Sequence, residues 1–423
     1  MGLAAALELC RKGARVDLLE RDDRLGGMSA QFDFAGTRIE RYYHFICTPD
    51  HTTFKYLREF GLEDKLRWTE TRMGFYWNGK LHDWGTPQAM LAFPGLSFLQ
   101  KLRYGLHVMR AKGITDWRPY DKLTSTQWVQ KWIGKPAYDV MWRSLFRYKF
   151  YEHEDSLSAA WLGTRIKRVA LSRKSIFQER LGYLDGGSEV LLDAVARELV
   201  RLGGKIQLAC SVDAVVTDGG DVRRVRGIRM GGEERAYDAV VSTVPLPHVP
   251  ALVPDLPPAE KAKIDAVRNV GVVCVILKLK RSFTPNFWLN INDPRLQIPG
   301  LIEYTNLNPL DDGSAIVYAP FYMPQGHPKY GRSNQAFIDE TLDCLCTIRP
   351  DFDRTDVIAA SASRYQYAQT VCTPGFYDAL PPMRSSLPGF FMADTSYYYP
   401  EDRSISESLR IGVELANAVW SAR

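Results

Sequence analysis

The sequence lacks the features that anchor a chain in a membrane or cross-link it covalently. No uninterrupted apolar run approaches the roughly 18 residues that a bilayer-spanning helix needs. No basic segment precedes the first apolar stretch, so no signal peptide is predicted. The seven cysteines are odd in number and none belongs to a C-x-x-C pair, which indicates neither a disulfide framework nor a zinc site. These absences favour a reducing, cytoplasmic setting.

A strong charge imbalance is also missing. The net charge of +5 is mild for 423 residues, so we expect no nucleic-acid partner, although attraction to an anionic substrate or surface stays open. With 45% hydrophobic and 24% charged residues, the chain can bury a sizeable core. Its length suits one large domain or two or three smaller ones.

The first twenty residues have the pattern of a helix, a glycine turn and a strand that ends in an acid. Apolar residues recur at helical spacing from Leu3 to Cys10, Gly13 is placed to end the helix, and "ARVDLLE" closes with Glu20. A βαβ dinucleotide unit holds a pyrophosphate at the start of such a helix and a ribose at such an acid. Glu20 follows Gly2 by 18 positions, about the separation that this unit requires.

In that unit Gly2 would be the third glycine of a G-x-G-x-x-G turn. The first two glycines and the strand that leads into them are absent from the sequence. We therefore expect the reading frame to continue upstream of Met1. The alternative is a chain that starts with the helix, which would leave one edge of its sheet unpaired.

The double glycine of "RDDRLGGMSAQF" narrows the choice of cofactor. Two adjacent glycines let the backbone approach a ligand closely, although a simple turn would also use them. The stretch resembles the amine oxidase, protoporphyrinogen oxidase and phytoene desaturase superfamily of FAD enzymes. The match falls on Glu20, Arg24, Gly26 and Gly27, whereas Met28 departs from the arginine that the family often has there. The resemblance implies that these residues bind FAD.

The same resemblance implies that two later segments return to the cofactor. In the middle of the chain, Val212 would contact the adenine through its backbone, and Thr243 would end a buried strand beside the cofactor. Near the C-terminus, "GFFMAD" predicts a strand whose Asp394 would lie beside the ribityl and pyrophosphate groups. The helix that follows, capped by Ser404 or Ser406, would direct its positive N-terminal end at the flavin.

Together these segments predict an α/β fold. Its first part is a Rossmann-like FAD-binding domain of the glutathione reductase type, with its first strand missing, formed by residues 1–75, 180–250 and 356–423. Its second part is an inserted α+β substrate-binding domain, formed by residues 76–179 and 251–355.

Four residues are candidates for a role in catalysis or substrate binding. His44, in "RYYHFI", would lie over or beside the flavin ring and could move protons. Tyr398, in "YYYPEDR", could stack on a planar substrate. Arg364 and Arg403 could anchor an acidic substrate group. Each of these side chains could instead pack in the core or face solvent.

The helix around residues 98–110 carries Lys101, Arg103 and Arg110 among apolar residues. Such a helix could dock on a membrane surface, or it could pack on the core with a solvated basic face. The sequence thus predicts a cytoplasmic protein with a possible peripheral contact to the inner face of the membrane.

The leading functional hypothesis is an FAD-dependent oxidoreductase that takes a hydride from an amine, a porphyrinogen or a polyene. "YHFI", "MGFY", "GYLDGG" and "EYTN" add to a likeness with bacterial protoporphyrinogen oxidase-like proteins. Two alternatives stay open: a flavoenzyme like UDP-galactopyranose mutase, which isomerises a nucleotide sugar without net redox, and a non-catalytic fragment that lacks the phosphate loop. The sequence implies a small-molecule substrate but defines neither it, nor the electron acceptor, nor the oligomeric state.

Overall fold

The structure is a computed structural model that describes residues 1–220 and 223–422. Asp221, Val222 and Arg423, which belong to ranges assigned above to the FAD-binding domain, lie outside the described residues. In chain order the helices and strands are α1 (Gly2–Arg11), β1 (Asp17–Leu19), β2 (Gln31–Phe34), β3 (Thr37–Glu40), α2 (His51–Glu59), β4 (Leu66–Thr71), β5 (Met73–Trp77), β6 (Lys80–Trp84), α3 (Pro87–Ala92), α4 (Phe98–Gly113), α5 (Ser125–Ile133), α6 (Lys135–Met141), α7 (Arg143–Phe150), α8 (Ala159–Leu171), β7 (Arg173–Ser175), β8 (Gln178–Leu184), α9 (Glu189–Arg201), β9 (Lys205–Gln207), β10 (Ala214–Thr217), β11 (Val225–Met230), β12 (Glu233–Ala236), β13 (Val240–Ser242), α10 (Val249–Leu252), α11 (Pro258–Ala266), β14 (Asn269–Leu279), β15 (Trp288–Asn292), β16 (Gly300–Glu303), β17 (Ala315–Met323), α12 (Asn334–Ile348), β18 (Val357–Thr370), α13 (Phe376–Ala379), β19 (Phe390–Met392) and α14 (Ile405–Trp420).

The dinucleotide-binding half is built from two pairs of parallel strands. β1 pairs with β9, and β13 pairs with β19. Within the described residues each of these strands has one strand neighbour, and both β1 and β13 line the same cavity. Helix α1 packs between α9 and α14 over these strands. A short antiparallel sheet, in the order β10-β11-β12, completes this half.

Helix α14 approaches the start of α1 very closely at Gly412. A Cβ atom added there would lie 2.7 Å from the Met1 carbonyl oxygen and 2.7 Å from the Ala4 Cβ. The absence of a side chain at this position therefore allows the N-terminal end of α1 to stay where it is.

A seven-stranded mixed sheet forms the other half, in the order β18-β14-β17-β16-β15-β5-β6. The β15–β5 pair is parallel and the remaining pairs are antiparallel. β17 is buried along its whole length because α7 packs on it and β14 and β16 flank it, which explains its continuous apolar run. β18 pairs with β14 along nearly its full length, so strand pairing groups residues 357–370 with this sheet and not with the dinucleotide half.

Helices α4 to α8 form a layer beside the large sheet. Their core is aromatic, with Trp117, Trp128, Phe146, Phe150 and Trp161 all buried. No helix in the described ranges has the length and apolar character that crossing a bilayer would need. The α/β class, the split parallel sheet and the inserted mixed sheet confirm the fold predicted from the sequence.

Candidate functional site

A cavity of about 2390 Å³ is lined by residues of both halves. It is larger than the roughly 300–1,000 Å³ typical of sites for drug-sized ligands, so it has room for an extended dinucleotide. The carboxyl ends of β1 and β13 open onto it, which is where open parallel sheets bind ligands. Six residues singled out from the sequence line its wall: Gly2, Glu20, Gly27, Val212, Thr243 and Arg364.

The N-terminal end of α1 faces this cavity without a capping side chain. Its first turn contains no acidic residue, and the side chain of the N-cap residue, Met1, accepts no hydrogen bond from its first amides. These amides, together with the helix dipole, favour an anion at this point. A Cβ atom on Gly2 would lie 2.8 Å from the Thr243 hydroxyl, so glycine is needed for the strand end and the helix to meet here.

Glu20 stands at the end of β1 with one carboxylate oxygen engaged. Its Oε1 accepts a hydrogen bond from the Asp22 amide at 2.9 Å, while its backbone bonds to Gln207 and Cys210 continue the β1–β9 pairing. Glu20 and Val212 both line the cavity. This arrangement fits the binding of ribose hydroxyls by the acid and of a base by the adjacent backbone.

The two glycines of the "LGG" turn have different environments. Gly26 has φ +107°, and a Cβ atom there would lie 2.6 Å from the Leu192 side chain on α9. Gly27 has φ +57° and open space on its Cβ side, where it lines the cavity. Arg24 lies outside the cavity wall and braces the turn, since its guanidinium donates to the Gln31 carbonyl and pairs with Asp23.

Asp394 lies behind the cavity wall. Its Oδ2 accepts from the Leu246 amide and its Oδ1 from the Ser396 amide, both at 2.8 Å, so the carboxylate joins the chain segments that follow β13 and β19. Burial raises the pKa of this carboxyl above its usual value. Ser404 caps α14, its hydroxyl accepting from the Glu407 amide at 3.1 Å, and it too is absent from the cavity wall.

His44 belongs to a hydrogen-bond network that supports the glycine turn. Its Nδ1 lies 2.7 Å from Glu40 Oε2 and its Nε2 lies 3.3 Å from the hydroxyl of Ser29. Glu40 also accepts from the Ser188 amide at the start of α9. The imidazole therefore connects the segment after Gly27 to α9 and does not line the cavity.

The other two catalytic candidates are engaged in structural contacts. Tyr398 is buried and its hydroxyl lies 2.6 Å from that of Ser408. Arg364 lines the cavity, but its guanidinium donates to the Tyr330 carbonyl, the Arg332 carbonyl and the Asn334 side chain. Both side chains are engaged in contacts within the protein, and their catalytic roles remain predictions.

Sequence reasoning missed two of the tyrosines that line the cavity beside the large sheet. Tyr42, after β3, and Tyr365, on β18, form an edge-to-face pair with ring centroids 6.2 Å apart. Burial raises the pKa of both phenols, which are therefore neutral at physiological pH. Tyr42 directly precedes "YHFI" and Tyr365 directly follows Arg364, so each lies within a stretch that the sequence analysis had singled out.

A buried cluster of charged residues lies just before the N-terminus of α14. Arg165 pairs with Asp402 at 3.0 Å, and the Lys149 ammonium lies 5.0 Å from the centre of the Tyr322 ring. Burial, with Arg165 and Arg403 nearby, lowers the pKa of Lys149 well below its usual value. Burial alone would raise the pKa of Asp402, but the surrounding cations outweigh it and lower the pKa to about 2.

Two polar atoms of this cluster are buried without a partner. Arg403 Nε and Asp402 Oδ1 have no hydrogen-bond partner in the part of the chain that the structure describes. Because buried polar atoms are normally satisfied, this cluster has capacity to interact with a ligand or water.

The split parallel sheet, the uncapped α1, the acid at the end of β1 and the glycine turn define a dinucleotide-binding flavoprotein. The sequence model of the flavin containing amine oxidoreductases matches residues 2–401, and the chain belongs to that family. FAD, predicted from the sequence, is thus its cofactor. The cavity fits it, because the uncapped start of α1 and Gly27, whose Cβ side is open space, both line its wall.

Similar proteins span several chemistries. The chain is 23% identical to the 15-cis-phytoene desaturase of Solanum lycopersicum, over 93% of this chain and 71% of that protein. It superposes on a structure assigned as a protoporphyrinogen oxidase from Exiguobacterium sp. 255-15 with a TM-score of 0.77 and 17% identity, covering 100% and 96% of the two chains. It superposes on reduced UDP-galactopyranose mutase with a TM-score of 0.72 and 15% identity, covering 100% and 93%. These likenesses show the fold and leave the substrate undefined.

Proposed function

We propose that this chain is an FAD-dependent oxidoreductase that removes a hydride from an organic substrate of the porphyrinogen, polyene or amine type. FAD, when bound, accepts the hydride. The observation that carries the proposal is the single cavity that joins Gly2 and Glu20 of the dinucleotide half to Tyr42 and Tyr365 beside the large sheet.

The dinucleotide half supplies the binding groups. The uncapped amides of α1 would bind the pyrophosphate, and Glu20 would accept from the ribose hydroxyls. The backbone at Val212 would contact the adenine, and Gly27 leaves the space that the chain of the cofactor needs. His44 would act as a positioning residue for this turn through Ser29 and Glu40.

The part of the cavity beside the large sheet, where we place the substrate, is aromatic. Tyr42 and Tyr365 offer two neutral aromatic rings that can contact a planar or conjugated molecule. The cluster behind them contains the guanidinium groups of Arg165 and Arg403 against the carboxylate of Asp402, so the local charge is positive even without Lys149. A positive potential disfavours a cationic amine and favours a neutral or acid-bearing substrate, which ranks a porphyrinogen or a polyene above an amine.

Anaerobic mixing of the purified full chain with each candidate substrate tests this proposal. We expect a visible flavin absorption band that a porphyrinogen or a polyene bleaches and that an amine bleaches more slowly or not at all. A protein without the band would refute the proposal and support a non-catalytic fragment. Isomerisation of a nucleotide sugar, seen only after chemical reduction of the flavin, would refute it in favour of mutase chemistry.

A matched pair of variants tests the assignment of the cavity. Glu20→Ala should weaken FAD binding by about tenfold to a hundredfold, the equivalent of losing one hydrogen bond to a charged group. Asp193→Ala removes an exposed acid of α9 away from the cavity and should leave FAD affinity unchanged. Equal affinities for the two variants would contradict the placement of the ribose at Glu20.

A further inference from the structure

The outward face of α4 is apolar. Phe98, Leu99, Leu102, Leu106 and Met109 are each between 53% and 75% exposed. At 100° per residue these five side chains fall within an arc of roughly 100°, and His107 and Ala111 on the opposite face are buried. A helix packed on the core with a solvated basic face would carry its charges at the centre of the exposed surface, whereas that centre is apolar.

This surface extends onto α3. Leu91 is 55% exposed, and its carbonyl accepts from the Lys101 ammonium at 2.6 Å, which holds the end of α3 against α4. We call the six residues Leu91, Phe98, Leu99, Leu102, Leu106 and Met109 the apolar strip. Contiguous exposed apolar surface of this kind, unlike single scattered residues, marks an interaction site.

Basic side chains border the apolar strip on both sides. Around the helix, Lys101 and Lys112 fall on one border, and Arg103 and Arg110 on the other. Residues 84–115 contain these four basic residues and no Asp or Glu. Arg103 donates to the carbonyls of Lys131 and Trp132, and Arg110 lies 5.1 Å from the Trp132 ring. These partners are uncharged, so they do not neutralise the two arginines as carboxylates would.

The helix is held firmly from behind. Ser97 and Gln100 form a capping box at its start. Tyr104 contacts Trp84, with ring centroids 5.7 Å apart, and His107 contacts Trp128 at 4.4 Å. The apolar strip is therefore a fixed surface, and exposing it costs the protein solvation free energy that only a partner recovers.

We propose that the apolar strip docks on the surface of an anionic lipid bilayer, with α4 parallel to the membrane plane. An apolar face bordered by Lys and Arg matches the boundary between acyl chains and negatively charged headgroups. A second copy of this chain fits less well, because an interface between two identical strips would bring cations together.

Sedimentation of the full chain with lipid vesicles tests this docking surface. We expect binding to vesicles of phosphatidylcholine with phosphatidylglycerol, weaker binding to phosphatidylcholine alone, and loss of the difference at high salt. The triple variant Leu102→Ser, Leu106→Ser and Met109→Ser should lower partitioning by at least about tenfold. The matched control, Val200→Ser with Ile358→Ser, removes equally exposed apolar side chains elsewhere and should bind like the wild type.

A second variant isolates the charge. Lys112→Gln, which leaves the contact between Lys101 and Leu91 in place, should weaken binding to the anionic vesicles by about fivefold and leave binding to phosphatidylcholine unchanged. Because this variant keeps the apolar strip, it still tests the proposal if the triple variant unfolds, which circular dichroism would detect. Equal vesicle binding by the wild type and the lysine variant would overturn the proposal. So would a dimer, seen by analytical ultracentrifugation, that the triple variant dissociates while the wild type ignores vesicles.

Discussion

The crossing of α14 over α1 at Gly412 offers a direct test of how the fold positions the predicted phosphate site. In Gly412→Ala, the new methyl group would lie 2.7 Å from the Met1 carbonyl oxygen and 3.0 Å from the Ala5 amide nitrogen. Both atoms belong to the backbone of α1 and cannot rotate away. To reach the 3.4 Å of an ordinary contact, α1 must move by about 0.7 Å.

Two opposing effects determine how much Gly412→Ala changes the free energy of unfolding. Alanine gains about 1 kcal/mol over glycine in a helix interior, whereas overpacking costs about 1–3 kcal/mol. We expect a net loss of about 1 kcal/mol in the free energy of unfolding. FAD affinity should fall by about tenfold, because the displaced turn is the one whose amides would bind the pyrophosphate.

Urea unfolding and FAD titration measure the two effects separately. Gly105→Ala is the matched control, since its Cβ atom would meet only the Met90 side chain at an ordinary 3.7 Å within α4. That variant should be slightly more stable than the wild type and bind FAD equally well. If Gly412→Ala matched Gly105→Ala in both measurements, the tight crossing would not control the position of α1.

Two predictions concern pH. Burial, with Glu407 nearby, raises the pKa of Glu401 from 4.5 to about 7. Its contribution to stability is therefore present below pH 4.5 and is lost as the pH rises through 7. Urea unfolding of the wild type should show the free energy of unfolding falling by about 3 kcal/mol over that range, and Glu401→Gln should abolish this fall. Burial lowers the pKa of His107 from 6.5 to about 4, so its contribution is present above pH 6.5 and is lost as the pH falls towards 4. His107→Phe should remove a decline of about 3 kcal/mol on the acid side, and an unchanged acid limb would contradict the assignment.

The dinucleotide half could be predicted from the sequence because its signals are local. A helix, a glycine turn and a strand ending in Glu20 occupy twenty consecutive residues, and the turn at Gly26 and Gly27 follows at once. The positive φ angles of these two residues and the space around them are properties of the backbone that favour glycine. The glycines are therefore visible in the sequence itself.

The substrate end depends on contacts that the sequence does not reveal. On β18, Arg364 lies opposite Val273 and Tyr365 opposite Val272, and successive side chains of a strand point to opposite faces. Both residues line the cavity, so their different surroundings are fixed only once β14 is known to be the partner strand. The guanidinium of Arg364 then pairs with residues 330–334, a segment far away in the chain.

The three tyrosines at 397–399 illustrate the same limit. Their hydroxyls bond to the Pro381 carbonyl, to Ser408 and to Ser158, and the last of these is 241 residues away from Tyr399. Nothing in "YYYPEDR" distinguishes an aromatic surface for a substrate from three anchors of a buried loop. The sequence placed these residues near the C-terminal helix but could not assign them to a surface.

The contrast between the two halves explains why the family is evident while the substrate is not. In the proposed function FAD would be held largely by backbone amides, strand ends and glycine turns, which belong to a fold that persists at 17% identity. Substrate choice would depend on side chains such as Tyr42, Tyr365 and the cations around Asp402, any of which one substitution can alter. Experiments that distinguish neutral, acidic and cationic substrates therefore probe the part of the molecule that is specific to this chain, and flavin binding probes the part that it shares.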